Sequence, residues 1–452
     1  MKNIIIVCSL GIGFFSSCSS FLDKKSDIHL AVPNKLEHAT LLLNDYTELN
    51  SGYPIFGDLG TDDFYLTSEN WDAANSVDQR NAYIWADEPY IDAAQWQRPY
   101  KTIYIANQVL EILEKVHKEE DVLEYRRNLG TAHFYRAFVF AQLTELHCPA
   151  YDKSTAGSEL GIPLRLKAGI DALSVRATLK ETYRQIVNDY KAAIVNLPLV
   201  EPVIGRPSKA SAFAGLSRTY LNMGDFRNAY LYADSCLQIN PSLLDYNTLN
   251  ASDDLPIPRF NVEVLFPAQS VVAGLMDQNT ALVDDDLYDS YTINDLRKSV
   301  FFKANGTPVN TFRFKGSYDK SLGALFIGIT TSEVYLTKAE SACRIAEIDE
   351  ALSAINTLLK SRWNKAVAYT PITESDPENL LFIILKERRK ELLFRGRRWS
   401  DLKRLNLDER FKKTLVRSIG NDTYTLEPNS PKYAFRIPQS VIDQTGMPQN
   451  KR

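Results

Sequence analysis

The segment from Phe213 to Pro241 has the most regular spacing in this chain of 452 residues. Seven of its positions form one pattern of aromatic, aliphatic and small residues, namely Phe213, Leu216, Tyr220, Gly224, Phe226, Ala229 and Pro241. Gly224 permits a tight turn, and the small Ala229 lets two helices approach closely while the larger side chains fill the groove between them. The pattern therefore predicts a helix–turn–helix unit.

The same offsets define the tetratricopeptide repeat, a helix–turn–helix unit of roughly 34 residues. A weaker copy is found at Tyr335, Ala339, Ala346 and Ala351, where Ala346 replaces the turn glycine. Apolar spacing predicts further helices over residues 96–110, 130–146 and 179–197. The predicted fold class is mainly α, an incomplete array of helical pairs near residues 96–146, 179–241 and 333–404.

Long stretches without helical spacing separate these helices, chiefly residues 51–89, 240–309 and 370–377. Loops this long inside a compact chain are usually functional. Strand-like runs at 262–266 and 311–314 predict only a minor β content. Since no linker divides the chain, we predict one domain over residues 18–452, with the loops near 51–89 and 240–309 forming its ligand face.

The N-terminus is typical of a lipoprotein signal peptide. Roughly twelve residues from Ile4 to Phe15 form an apolar run, whereas a membrane-spanning helix needs about 20. Small residues precede Cys18, whose thiol would carry the lipid, and Phe15 stands where leucine is usual. We predict a signal peptide over residues 1–17 and lipidation of Cys18; the alternative is a free cysteine near the end of an ordinary signal peptide.

Composition excludes several functions. A net charge of −4 gives no bulk attraction to nucleic acid or to an anionic membrane. The five histidines are scattered, and the later cysteines, Cys148, Cys236 and Cys343, are far apart and are predicted to be buried. No metal site or cofactor is expected.

Two acidic clusters are the residues that a hydrolase or a calcium site would need, namely Asp62-Asp63 and Asp284-Asp285-Asp286. They lack the ligand spacing of a calcium loop, and adjacent loop residues cannot be shown to face each other across a cleft. We predict solvated loop acids. The chain also lacks a nucleophile elbow and a phosphate loop, so an enzyme is not expected.

Aromatic residues in the irregular stretches are better candidates for a site, because they fall outside the helical stripes. A sugar ring presents an apolar C–H face that stacks on an aromatic plane, while neighbouring polar groups bind its hydroxyls. The alternative for each residue is packing within its loop. The candidate ligand-binding residues are Trp71, Asn70, Tyr65, Trp85, Tyr288 and Tyr291.

Several motifs resemble the SusD/RagB family of outer-membrane nutrient-binding lipoproteins of Bacteroidetes. The clearest is ERRKELLFRGRRWSDLKR at 387–404, which departs from the family only at Arg395, where an acidic residue is usual. Glu387, Glu391 and Asp401 interleave with its basic residues at helical spacing, which predicts structural ion pairs. Further agreement lies at Trp96 to Asn107, 136–138, 161–163, 205–207, 223–225, 338–340, Ile437-Pro438 and 448–450.

The resemblance implies a helical scaffold whose loops bind the ligand, and a SusC-like TonB-dependent barrel as partner. In such systems the lipoprotein, lipid-anchored in the outer membrane, closes over the barrel to deliver an oligosaccharide. Family ligand aromatics come from the equivalent early loop and from the region before Asn294 to Arg297. A peptide ligand remains open, as does a surface scaffold that binds another protein without a small ligand.

Overall fold

The computed structural model describes residues 33–116, 121–169 and 171–452. Cys18 and the predicted signal peptide lie outside these residues. The helices are α1 (Leu36–Leu42), α2 (Tyr46–Leu49), α3 (Phe56–Leu59), α4 (Ser68–Asp72), α5 (Val77–Tyr83), α6 (Ala94–Leu113), α7 (Val122–His147), α8 (Leu179–Asn196), α9 (Lys209–Asn222), α10 (Phe226–Ile239), α11 (Asp285–Asp289), α12 (Arg297–Phe301), α13 (Thr331–Arg344), α14 (Ile348–Arg362), α15 (Pro377–Glu391), α16 (Arg398–Leu405) and α17 (Gln439–Thr445).

The strands are short and pair only in twos, always antiparallel, among the described residues. They are β1 (Phe64–Tyr65), β2 (Leu160–Pro163), β3 (Arg176–Thr178), β4 (Val264–Phe266), β5 (Gln269–Val272), β6 (Leu282–Val283), β7 (Phe302–Ala304), β8 (Phe312–Phe314), β9 (Ala324–Phe326), β10 (Ile329–Thr330), β11 (Leu415–Ile419) and β12 (Asp422–Leu426). The predicted mainly helical fold with minor β structure is confirmed.

The predicted repeat forms α9 and α10, which pack against each other. Gly224 opens the turn between them with a left-handed φ of +70°, and the side chain of Asp225 caps α10 by accepting from the Asn228 amide. In the second copy, α13 and α14, Ala346 takes the same left-handed conformation with φ of +62°. Ala346 therefore forms the same turn as the glycine, but its Cβ makes this left-handed conformation strained.

The helices form one continuous array in which α6 packs on α7, α7 on α8, α8 on α9, α9 on α10 and α10 on α13. Glycines set some of the spacings. At Gly215 on α9, an added Cβ would lie 2.5 Å from the Tyr190 ring of α8. Cys148, Cys236 and Cys343 are free and buried in this scaffold, as predicted.

The stretches predicted to be irregular contain more structure than the sequence indicated. Residues 51–89 include α3, α4, α5 and β1, and residues 240–309 include four strands with α11 and α12. These elements are only two to seven residues long, so none of them shows a measurable helical period. None of the helices in the described ranges is long and apolar enough to cross a bilayer.

The motif at 387–404 forms α15, α16 and the turn between them, and its charges are structural, as predicted. Arg388 pairs with Asp401 at 2.8 Å, and Glu391 pairs with Arg362 of α14 at 2.7 Å. Arg395 packs against two aromatic rings. Its guanidinium carbon lies 3.9 Å from the centroid of the Tyr318 ring and 4.9 Å from that of Phe326.

Candidate functional site

The early and late loops meet at the pairing of β1 with β6. Phe64 lies opposite Val283, and Tyr65 lies opposite Leu282. The side-chain amide of Asn70 on α4 donates to the Thr280 carbonyl at 3.0 Å. The region where these two loops join, which we call the loop junction, thus brings Tyr65 and Asn70 next to residues 280–285, and Trp71 follows Asn70 on α4.

An ion-pair cluster fixes the loop junction to α15. Arg389 donates to the Asp63 carboxylate at 2.9 Å and to the Asp62 carbonyl at 2.5 Å, and it lies 3.3 Å from the Asp284 carboxylate. Arg398 pairs with Asp62 at 2.7 Å. One arginine of the family-like motif therefore holds residues from both loops.

The prediction that the acidic clusters are solvated is wrong for Asp62 and Asp63, because arginine partners hold them in this cluster. Asp284 contacts Arg389 but keeps 34% of its side-chain surface exposed. Asp63 is only 2% exposed. Burial alone would raise the pKa of the Asp62 carboxyl, but Arg398 and Arg389 hold that pKa well below its usual range. Asp285 and Asp286 are exposed, as predicted.

Trp71, near the end of α4, is a candidate that keeps accessible surface. Its half-buried ring packs partly on the core, and the guanidinium carbon of Arg80 lies 5.8 Å from the ring centroid. Its indole nitrogen has no hydrogen-bond acceptor within the described chain. Tyr65 is also half-buried, with its hydroxyl 3.5 Å from the Asp285 carboxylate.

Tyr288 is half-buried, but both faces of its ring are occupied. The Phe312 ring stacks on it with the centroids 3.4 Å apart, and the Lys298 ammonium lies 4.4 Å from its centroid. Only the edge of Tyr288 is left for a ligand.

Trp85 and Tyr291 are core residues, which corrects their place among the candidates. Trp85 is 2% exposed and its indole donates to the Gly60 carbonyl at 3.0 Å; Tyr291 is 1% exposed and its hydroxyl donates to the Lys390 carbonyl at 2.8 Å. A side chain without accessible surface cannot stack on a ligand. Both fell outside the helical stripes because short loop elements, and not long helices, bury them.

Sequence reasoning missed Arg80 and the hairpin of β11 and β12. The Gly420 amide at the hairpin turn donates to the Ser68 hydroxyl at 2.7 Å, beside α4. Nothing in the spacing of residues 68 and 420 indicates this contact, since it depends on tertiary packing.

The loop junction offers several kinds of group that can bind a ligand. Trp71 provides an aromatic plane, Asn70 an amide, Arg80 a cation, and Asp285 an exposed carboxylate. Across the parts of the chain that the structure describes, no group of three or more His, Cys, Asp or Glu side chains is placed to hold a metal ion. The arrangement suits the recognition of a ligand with an apolar face and a polar edge.

Comparison with known proteins supports one family over most of the chain. A family model described as "Starch-binding associating with outer membrane" matches residues 20–221, and the SusD family model matches residues 301–450. The SusD-like protein P2 of Formosa agariphila is 24% identical over 386 residues, which cover 72% of this chain and 74% of that protein.

Solved structures share the fold. A SusD superfamily protein from Bacteroides thetaiotaomicron has a TM-score of 0.73 at 22% identity, covering 92% of this chain and all of its own. A putative sugar binding protein from Bacteroides vulgatus has a TM-score of 0.74 at 19% identity, covering 93% of this chain and 99% of its own. These likenesses show the fold. The two family models, which match residues 20–221 and 301–450, show that the chain belongs to the SusD family.

Proposed function

We propose that this protein binds a nutrient oligosaccharide at the cell surface and delivers it to a SusC-like TonB-dependent outer-membrane transporter. The observation that carries the proposal is the loop junction, where the half-buried Trp71 lies beside Asn70 and Arg80. A pyranose can lay its C–H face on the indole while the amide and guanidinium donate to its hydroxyls. Solved relatives described as sugar- or carbohydrate-binding agree with this ligand class.

A direct test is calorimetry against a panel of neutral oligosaccharides and peptides, with protein lacking residues 1–17 and carrying Cys18→Ser. We expect one glycan class to bind and Trp71→Ala to reduce its affinity at least about tenfold. A nucleobase stacked on an aromatic ring is worth roughly 1–3 kcal/mol, and we expect a comparable contribution from a sugar face on the indole. Trp363→Ala is the matched control, because Trp363 is also half-buried but lies at the end of α14.

The outcomes separate the alternatives. If peptides bind and glycans do not, the proposed ligand changes to a peptide, and the proposed role in import stays. Glycan binding that Trp71→Ala leaves unchanged, or that Trp363→Ala reduces equally, would remove the loop junction as the site.

A second candidate is a surface scaffold that binds another protein. It is favoured by the exposed apolar residues between α8 and α9, where Val200 is 80% exposed and Ile204 is 71% exposed. They border a cleft of about 670 Å³ that is also lined by Phe260. Failure of every glycan and peptide in the panel, with co-purification of a protein partner, would favour this function.

Localisation depends on Cys18, which we propose as the site of lipidation. Full-length protein is expected in the outer-membrane fraction, and Cys18→Ser is expected to release it, because a lipid chain supplies about 0.8 kcal/mol of membrane affinity per buried methylene. Cell fractionation measures where the protein lies, and incorporation of a labelled fatty acid measures its lipidation. Retention of an unlabelled Cys18→Ser protein in the membrane would contradict this assignment.

A further inference from the structure

A second aromatic surface follows one face of α6. Trp96, Tyr100 and Tyr104 succeed one another at intervals of four residues, so their side chains are neighbours along the helix. Trp96 is 6% exposed, Tyr100 is half-buried and Tyr104 is 38% exposed. The exposure of this aromatic row thus increases along α6, from the core at Trp96 to the surface at Tyr104.

The row lines a groove that has a volume of about 380 Å³ and shares no lining residue with the loop junction. Its floor is the aromatic row, in which the Trp96 and Tyr100 ring centroids lie 4.9 Å apart. One wall is the end of β2 and the chain after it, with Pro163 and Arg165, and the other is α17, with Gln444. The Tyr100 hydroxyl donates to the Pro163 carbonyl at 2.8 Å, and this hydrogen bond joins the floor of the groove to its wall.

The charges lining this groove are all positive. Lys101, Arg165 and Lys167 line it, and no carboxylate does among the described residues. Lys101 pairs with Glu48 at 2.7 Å and Lys167 with Glu114 at 3.5 Å, and both lysine side chains are more than half exposed, at 61% and 71%. Exposed pairs of this kind are weak, so both lysines can turn to an anionic ligand at little cost.

Arg165 has no carboxylate partner in the described chain. Its guanidinium donates to the carbonyls of Gly169 and Ala172, which fixes the loop but leaves the positive charge uncompensated. The groove therefore carries a net positive charge even when both lysines keep their partners.

Exposed amides add neutral hydrogen-bonding capacity. Gln97 and Gln444 are both exposed, line the groove, and make no side-chain hydrogen bond within the described residues. The Tyr104 hydroxyl accepts from the Gln108 amide at 3.0 Å, which holds the most exposed ring of the row in place.

We propose that this groove is a second saccharide-binding site, selective for a sugar that carries a carboxylate or a sulfate. Tyr104 and the accessible part of Tyr100 take the C–H faces of the sugar rings, with Trp96 packed beneath them. Gln97 and Gln444 bind hydroxyls, and Lys101, Arg165 and Lys167 bind the acidic groups. The saccharide class rests on the proposed function, whereas the site and its preference for an acidic sugar rest on the groove itself.

The test uses calorimetry with a galacturonate oligosaccharide, a sulfated oligosaccharide, and the carboxyl-reduced form of the first as a neutral control. We expect the protein to bind at least one acidic glycan, and to bind the neutral form more weakly. Raising the salt from about 50 mM to about 500 mM should weaken only the acidic ligand, because screening shortens the range of the lysine charges.

The variant Lys101→Gln with Lys167→Gln should weaken acidic binding about tenfold and leave neutral binding unchanged. Its matched control is Lys303→Gln with Lys365→Gln, which removes the same charge from two exposed lysines that each pair with one carboxylate elsewhere. Tyr104→Ala tests the aromatic row, and it should weaken acidic binding without shifting the urea midpoint of unfolding.

Failure of this inference is distinguishable from failure of the loop junction. Acidic binding that persists in Trp71→Ala but falls in the groove variant supports a separate site. Acidic binding that falls equally in the two lysine pairs, or that only Trp71→Ala removes, overturns it. Absence of acidic binding by the parent protein at low salt also overturns it, even if a neutral glycan binds at Trp71.

Discussion

Replacing Glu391 with alanine should lower the free energy of unfolding by about 3–5 kcal/mol, because it leaves buried arginines short of a counter-charge. Glu391 has no exposed surface, and it accepts from Arg362 at 2.7 Å and from Arg297 at 3.3 Å. Each guanidinium is about 1% exposed and keeps other acidic partners, Glu263 for Arg362 and Asp295 for Arg297. The network should therefore weaken without disappearing.

The measurement is urea unfolding of the variant and the parent protein at neutral pH. Asp254→Ala is the control, since Asp254 forms an exposed pair with Lys303 and its loss should give no measurable change. Glu391→Gln should lie between the two, because it keeps the volume and part of the hydrogen bonding. A Glu391→Ala midpoint equal to that of Asp254→Ala would show that the network contributes nothing to stability.

This network also shows how far the sequence predicted the structure. The acidic positions of the 387–404 motif were predicted to pair within the motif, and Arg388 with Asp401 does so. Glu387 does so too, with Lys390 at 2.8 Å, but it also pairs with Arg297, which is 90 positions away. Glu391 pairs instead with Arg362, which is 29 positions away. Helical spacing reports neighbours within three or four residues, so it cannot identify partners that the packing of α12, α14 and α15 brings together.

The helices of the scaffold were predictable because each presents a long apolar stripe. α8 begins at Leu179 as predicted, since Thr178 and Glu181 form a capping box that fixes the start. The loop junction was predictable only in part. Trp71 and Tyr65 keep accessible surface, but Trp85 lies in the core with a left-handed φ of 55°. In such short elements, the sequence around an aromatic residue does not indicate whether its side chain faces the solvent or the core.

Replacing Asp58 with asparagine should stabilise the protein at pH 8 and have little effect near pH 4. Burial is the main cause that raises the pKa of the Asp58 carboxyl, from 3.8 to about 7; Arg397 opposes this shift and Asp63 adds to it. The folded state therefore holds a proton that the unfolded state releases between these pH values. Stability falls as the pH rises through this window, and the loss is complete above about pH 7.

The pKa of Asp58 rises by roughly three units, and each unit is worth about 1.4 kcal/mol. The ionised Asp58 therefore lowers the free energy of unfolding at pH 8 by at most about 4 kcal/mol. Asparagine keeps the shape of the side chain but cannot ionise, and Arg397 retains Glu145 as a partner at 3.0 Å. Urea unfolding at pH 5 and pH 8 should show a gap between variant and parent that widens with pH. Asp87→Asn, at an exposed residue paired with Lys432, should show none. An Asp58→Asn gap that is equal at both pH values, or that reverses, would mean that Asp58 is ionised throughout this range and that Arg397 outweighs the cost of burial.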